Sequence, residues 1–140
     1  MSLVPSYAMN YLSLNDLLDL HTFAVERYGG RLGIKSQDQL QSALHAPRQI
    51  IFGEELYPDL AGKAAVLAFQ ILKNRPFIAG NEATALLAIL RLLAINDASL
   101  GDTPVEALAD ELRAVLDSRQ DRDGLAAWLR ERVQVEVERS

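Results

Sequence analysis

Apolar residues recur at helical spacing along almost the whole chain. Ser13, with Asp16 three residues on, marks a capped start, after which Leu14, Leu17, Leu18, His21, Val25 and Tyr28 fall on one helical face. Gly29 and Gly30 end that helix, because glycine adopts the left-handed conformation a helix terminus requires. A second, shorter helix begins at the capping box Ser36 and Gln39, carries Leu40, Ala43 and Leu44, and ends before Pro47. The pattern then changes. Arg48 to Tyr57, RQIIFGEELY, holds two β-branched residues, an aromatic and a turn-permitting Gly53, which predict a small hairpin or flap.

Helical periodicity resumes after Pro58 and Asp59, over about Leu60 to Lys73, with Ala64, Leu67, Ala68, Ile71 and Leu72 as the buried stripe. Asn81 is placed to cap the next helix, Glu82 to Ile95, which is apolar nearly all round apart from Glu82, Thr84 and Arg91. Such a helix belongs at the centre of a domain. Thr103, Pro104 and Glu106 read as a capping box with proline at the first helical position, opening a fifth helix that runs to about Ser118. A sixth begins near Arg122 and buries Leu125, Trp128, Leu129 and, at its end, Val133. The tail VQVEVERS alternates, as a frayed end or a short strand would. No internal repeat, low-complexity segment or long linker divides the chain. The prediction is a single all-α domain over residues 1–140 with one small β element.

Composition narrows the function classes. A chain of 140 residues can bury a core without metal or disulfide staples. Fourteen Lys and Arg against 19 Asp and Glu leave a charge of -5, so no overall basic field draws nucleic acid. The absence of cysteine removes disulfides, thiolate metal sites and cysteine nucleophiles, and is compatible with a reducing compartment. The start MSLVPSYAMNY lacks the basic residues and apolar run of a signal peptide. The longest apolar run, ATALLAILRLLAI, has 13 residues with Arg91 inside it, short of the ~20 a membrane span needs. A soluble cytoplasmic protein is expected, with neither nucleic acid nor membrane as partner.

Candidate chemistry concentrates in NRPFIAGNEATA, Asn74 to Ala85. Glycine and asparagine sit where a loop feeds a helix N-terminus, a favourable place for an anion. Around them, however, Arg75, Ala79, Glu82 and Ala83 offer no general base, no metal ligand and no cation on the helix side of the turn. His21, on the apolar stripe of the first helix, is expected to be a packed, hydrogen-bonded core residue. His45, just before Pro47, is expected at the surface or at a helix end. The charged run RQDRDG, Arg119 to Gly124, misses the ligand pattern of a metal loop and reads as a solvated turn.

Three stretches in order, YLSLNDLLDLHTFAVERYGG, SQDQLQSALHAPR and GEELYPDLAGKAAVLAFQILKNRPFIAGNEATALLAILRLLAIN, resemble the Doc (death on curing) branch of the Fic/Doc, or Fido, family. The likeness is clearest over 11–96. It implies a helical domain whose loop and helix follow roughly H-P-F-x-D-G-N-K-R-T-A. It further implies transfer of AMP or phosphoryl from ATP, with Mg²⁺, to a protein hydroxyl; the Doc branch acts as the toxin of toxin-antitoxin pairs on a translation elongation factor.

Carried across position by position, Pro76, Phe77, Gly80, Asn81, Thr84 and Ala85 match the pattern. By resemblance Phe77 anchors the loop, Gly80 allows the tight turn, and Asn81 caps the helix and faces the anion, so Gly80 and Asn81 are the residual cofactor-binding positions. Arg75 stands where the family has its histidine base, and a guanidinium has no acceptor with which to take a proton. Ala79 replaces the carboxylate that would hold Mg²⁺, and a methyl group cannot coordinate a hard cation. Glu82 and Ala83 replace the phosphate-cradling Lys and Arg, a swing of three charges at the positive helix end. The resemblance thus predicts a scaffold without catalytic residues, without a metal ligand and without a bound cofactor, acting by protein binding on an antitoxin-like helix or a translation factor. The alternative is a remodelled enzyme in which Arg75 clamps phosphate and Glu54 or Glu55 from the flap assists metal or proton transfer.

Two local expectations follow. Arg75 and Glu82, opposite in charge across the turn, should pair and plug the former pocket, the alternative being Arg75 as an anion ligand. In the family such a flap docks target peptide by strand addition, which needs main-chain hydrogen bonds and not catalytic side chains. Exposure of Ile50, Ile51, Phe52 or Tyr57 would favour docking, and their burial ordinary packing.

Overall fold

The computed structural model describes residues 9–136; most of the N-terminal stretch MSLVPSYAMNY and the last residues of the alternating tail lie outside them. Within that range the chain is mainly α-helical, as its periodicity predicts. The helices are α1 (Leu14–Tyr28), α2 (Gln37–His45), α3 (Leu60–Asn74), α4 (Asn81–Ala94), α5 (Val105–Leu116) and α6 (Arg122–Arg130). A 3₁₀ turn, Ala46–Arg48, extends α2, and Pro47 at its second position is tolerated there because the first turn of a helix needs no donor from it.

Helix starts follow local side-chain chemistry. At α1 the box is reciprocal: the Asp16 amide donates to Ser13 Oγ at 3.1 Å and the Ser13 amide to Asp16 Oδ2 at 2.9 Å. Ser36 accepts from the Gln39 amide, Asp59 from that of Gly62, and Asp121 from that of Gly124, so α2, α3 and α6 each start on a side-chain cap. The last places RQDRDG where a solvated turn feeds α6. At α5 the expected capping box is absent: Pro104 is itself the cap residue, in an extended conformation, with no side-chain hydrogen bond.

Helices α3 and α4 form the centre. α3 packs against α2, the 3₁₀ turn, α4, α5 and α6, while α4 also packs on α1 and α5. Residues Ala61 to Ala68 of α3 are buried in an unbroken run, and small alanines let neighbouring helices approach on several sides. On α4, Ala85, Ala88, Ile89, Leu92 and Leu93 are fully buried. α6 closes the core with Leu125 and Leu129, while Trp128 is half-buried beneath the Arg132 guanidinium, 4.1 Å from the ring centroid.

Two small antiparallel ribbons are present where one β element was expected. β1 (Ile50–Ile51) pairs with β2 (Glu54–Glu55), Ile50 opposite Glu55 and Ile51 opposite Glu54, which is the anticipated flap. The second joins β3 (Ala98–Ser99) to β4 (Gln134–Val135), so the described part of the alternating tail forms a short strand against the segment leaving α4. Tyr28, counted on the buried face of α1, is instead 68% exposed, at the last position of the helix.

Candidate functional site

The loop between α3 and α4 is built by the residues that match the family pattern. α3 ends at Arg75, which adopts the left-handed conformation at φ 46° and closes the helix by donating its amide to the Ile71 carbonyl. The buried Pro76 carbonyl accepts from the amides of Lys35 and Ser36, at 2.7 and 3.1 Å, binding the loop to the start of α2. Phe77 is 1% exposed and forms an isolated bridge with Ile34.

His21 lies flat on Phe77, ring centroids 3.7 Å apart, and donates from Nε2 to the Ala79 carbonyl at 2.9 Å. This is the packed, hydrogen-bonded core histidine expected from its place on α1. It lies directly beneath the loop.

Asn81 does not cap α4. It is the first helical residue, and the cap position belongs to Gly80, left-handed at φ 76° with no side-chain hydrogen bond to the helix. The Asn81 amide turns back into the loop instead: Nδ2 donates to the Phe77 carbonyl at 2.9 Å and Oδ1 accepts the Phe77 amide at 3.1 Å. One buried side chain thereby satisfies both main-chain groups of the anchor. Gly80 is required twice over, by its positive φ and because a β-carbon there would come 3.3 Å from Val25 of α1.

The positions that carry family chemistry are arranged differently from the expectation. Arg75 and Glu82 do not pair. Glu82 points across to α5, its carboxylate 3.6 Å from the Arg113 guanidinium, while Arg75 is exposed and makes no ion pair among the described residues. Glu82 lies in the first turn of α4 on the side that meets α5, and Arg113 takes its carboxylate there. The methyl of Ala79 rests against Gly30, where an added β-carbon would come within 3.3 Å of it. Among the described residues no group of three or more His, Cys, Asp or Glu side chains is gathered as a metal would need. His45 is exposed in the last turn of α2, away from the loop.

A groove of about 400 Å³ opens beside the α4 N-terminus, between α4, α5 and the end of α1. Its walls are largely apolar, from Leu86, Leu87, Val105 and Ala109, with Tyr28 and the Glu82–Arg113 pair at the rim. The flap is separate from this groove and shares none of its lining residues. Its tip, Phe52 and Gly53, has positive φ at both residues, 51° and 80°. Ile50 and Ile51 are exposed and Phe52 fully so, whereas Tyr57 is half-buried, with Arg122 over its ring.

Comparison with known proteins adds to this geometry. The family model described as the Fic/DOC family matches residues 11–93. The chain belongs to the Fic/Doc family. It is also 32% identical over 120 residues to the Toxin Doc of Mycolicibacterium smegmatis, an alignment that covers 85% of this chain and 90% of that protein. The matched range takes in the whole α3–α4 loop and the first turn of α4, including Arg75, Ala79, Glu82 and Ala83. No helix of the described residues is long and apolar enough to cross a membrane.

Sequence reasoning missed one residue that bears on this site. Lys63, in the first turn of α3, is fully buried and reaches Glu55 of the flap at 2.9 Å. A lysine beside a buried stripe ordinarily marks a solvated face, and no local signal distinguishes the buried case.

Proposed function

We propose that this Doc-like protein acts by binding another protein and does not transfer phosphoryl or AMP groups. The observation that carries the reading is the division within one loop. The anchoring residues His21, Phe77, Gly80 and Asn81 hold the family's loop in place, whereas the four positions that would act on ATP are a guanidinium, two methyl groups and a carboxylate. Phosphoryl transfer depends on positioning and charge neutralisation far more than on covalent chemistry by the protein, so loss of base, metal ligand and phosphate cations removes most of the mechanism.

The residues present do not fit Mg²⁺-ATP. Ala79 offers no oxygen to the metal, and Glu82 puts negative charge where the α4 N-terminus would otherwise favour phosphate. The remodelled-enzyme reading is not supported by Glu55, whose carboxylate is engaged by Lys63. Binding rests on different groups. The flap carries an open strand edge and exposed Ile50, Ile51 and Phe52, which suit strand addition by an extended segment of a translation factor, and the apolar groove beside α4 suits an antitoxin-like helix.

Calorimetric titration with ATP, with and without Mg²⁺, tests the reading on the natural protein and on a variant carrying Arg75→His, Ala79→Asp, Glu82→Lys and Ala83→Arg. Silence from the natural protein beside heat from the variant is the expected pair of results. Saturable Mg²⁺-ATP binding by the natural protein overturns the proposal.

A further inference from the structure

We propose that Lys63 is a positioning residue for the flap, a single buried ammonium that holds both legs of the hairpin and sets the direction in which it presents its free edge. Lys63 is 0% exposed, and its Nζ donates to two points on either side of the hairpin. On the entering leg it reaches the Pro47 carbonyl at 3.2 Å; on the returning leg it reaches Glu55 Oε1, in β2, at 2.9 Å. The face of Tyr11 covers it, 5.5 Å from Nζ to the ring centroid, and the same ring stacks with the Arg48 guanidinium at 4.4 Å.

Core packing alone does not explain this residue. A buried ion pair contributes little net stability compared with well-packed apolar side chains, because two charges must leave water. The residues flanking Lys63 on α3, Ala61, Gly62, Ala64, Ala65 and Val66, are all small or apolar and buried, so an apolar residue would suit the position better. What the ammonium supplies is directional: three donors on one atom, of which two tie the chain entering the hairpin, at Pro47, to the strand leaving it, at Glu55. The hairpin has need of such a tie. Each strand is two residues long, and isolated two-stranded ribbons are marginal in water even when longer. With Ile50, Ile51 and Phe52 exposed, the tip adds little packing of its own.

The clamp also refers the flap to the signature loop. Lys63 and Arg75 belong to one helix, α3, and its cap, so twelve residues at ~1.5 Å each separate the clamp from the loop by about 18 Å. The flap and loop are therefore oriented by the same helix. This inference is independent of whether the loop transfers anything.

Amide hydrogen exchange of the flap, 49–57, and of the α4 interior, measured on Lys63→Met, Glu55→Ala, Glu55→Gln and the Lys63→Met/Glu55→Ala double variant, tests it. Loss of a charge-assisted hydrogen bond should speed flap exchange about tenfold in each of the Lys63→Met and Glu55→Ala proteins, including the Leu56 amide that donates to Gln49. Glu55→Gln, which keeps an acceptor oxygen, should fall well below that, and the double variant should exchange no faster than Lys63→Met alone. Should Lys63→Met fail to fold, the contrast between Glu55→Ala and Glu55→Gln decides the matter. Unchanged flap exchange in Glu55→Ala, additive effects in the double variant, or an equal rise in α4 each overturns the proposal.

Discussion

His21 and Phe77 lie face to face, their ring planes within 7° of parallel, although 56 residues of chain separate them. The stack joins α1 to the signature loop, and the His21 Nε2 proton continues the link to Ala79. The aromatic contact and a buried hydrogen bond act on the same few atoms, so His21→Ala is expected to cost about 2–4 kcal/mol, combining cavity formation with an unpaired carbonyl. Urea unfolding measures this directly. A loss under about 0.5 kcal/mol, the range of ordinary surface substitutions, would show that the loop is held without the stack.

Asn81 acts on the same anchor from the other side. Both its oxygen and its nitrogen are committed to Phe77, and the residue is 1% exposed. Asn81→Ala leaves a buried N–H and a buried C=O without partners, at an expected cost of about 2–4 kcal/mol. Asn81→Asp keeps the acceptor and loses the donor, so it should retain part of the stability. Equal losses in the two variants, or none in Asn81→Ala, would mean that Asn81 serves the loop in some other way.

Asp59 gives the fold a pH dependence of known sign. Arg130 donates to its carboxylate, which lowers the Asp59 pKa below its ordinary value of 3.8; burial opposes the shift, and the Gly62 amide and the Arg130 charge reinforce it. A carboxyl group whose folded pKa is depressed contributes stability that is present above its unfolded pKa and is lost as pH falls through the folded one. The gain belongs above about pH 4 and fades below it. Arg130 shifts further upward, chiefly through the same hydrogen bond, so its contribution persists throughout the neutral range. Both side chains are about half exposed, 53% and 44%, and solvent screening holds the pair to no more than about 1 kcal/mol. Asp59→Asn should therefore flatten the stability profile between about pH 5 and 2 while costing little at pH 7. An unaltered acid limb in the variant would assign that limb to other carboxylates.

The helices were readable because their causes are local. Ser13 with Asp16, Ser36 with Gln39, and Asp59 before an apolar stripe each act within one turn of chain, and each makes the bond its spacing implies. The loop was readable through resemblance, and in it Phe77 is buried and Gly80 takes a left-handed backbone. What escaped depends on distant chain. Asn81 is a good cap by type, but the nearby Phe77 main chain takes its amide first. Glu82 finds Arg113 on α5, 31 residues away, where no spacing rule applies. Lys63 is buried because Pro47 and Glu55 come to it, and β3 pairs with β4 across the whole of α5 and α6 in sequence. Pairings of that kind are decided by tertiary packing, after propensity has been spent on the elements themselves.

The flap tip makes the sharpest contrast between local preference and observed residue. A two-residue turn with positive φ at both positions favours asparagine followed by glycine, yet the first position is Phe52. Its side chain is fully exposed, so nothing within the chain repays the strain of a left-handed aromatic residue. Phe52→Asn is expected to stabilise the hairpin by about 0.5–1 kcal/mol, since asparagine tolerates this conformation and no packing is lost. Slower amide exchange over 49–57 would register that gain. If the tip anchors a partner in the way large aromatic side chains anchor interfaces, the same variant should bind a purified translation elongation factor at least about tenfold more weakly than the natural protein. A stabilised hairpin with undiminished binding would remove Phe52 from the docking surface and leave the strand edge of β1 to act alone.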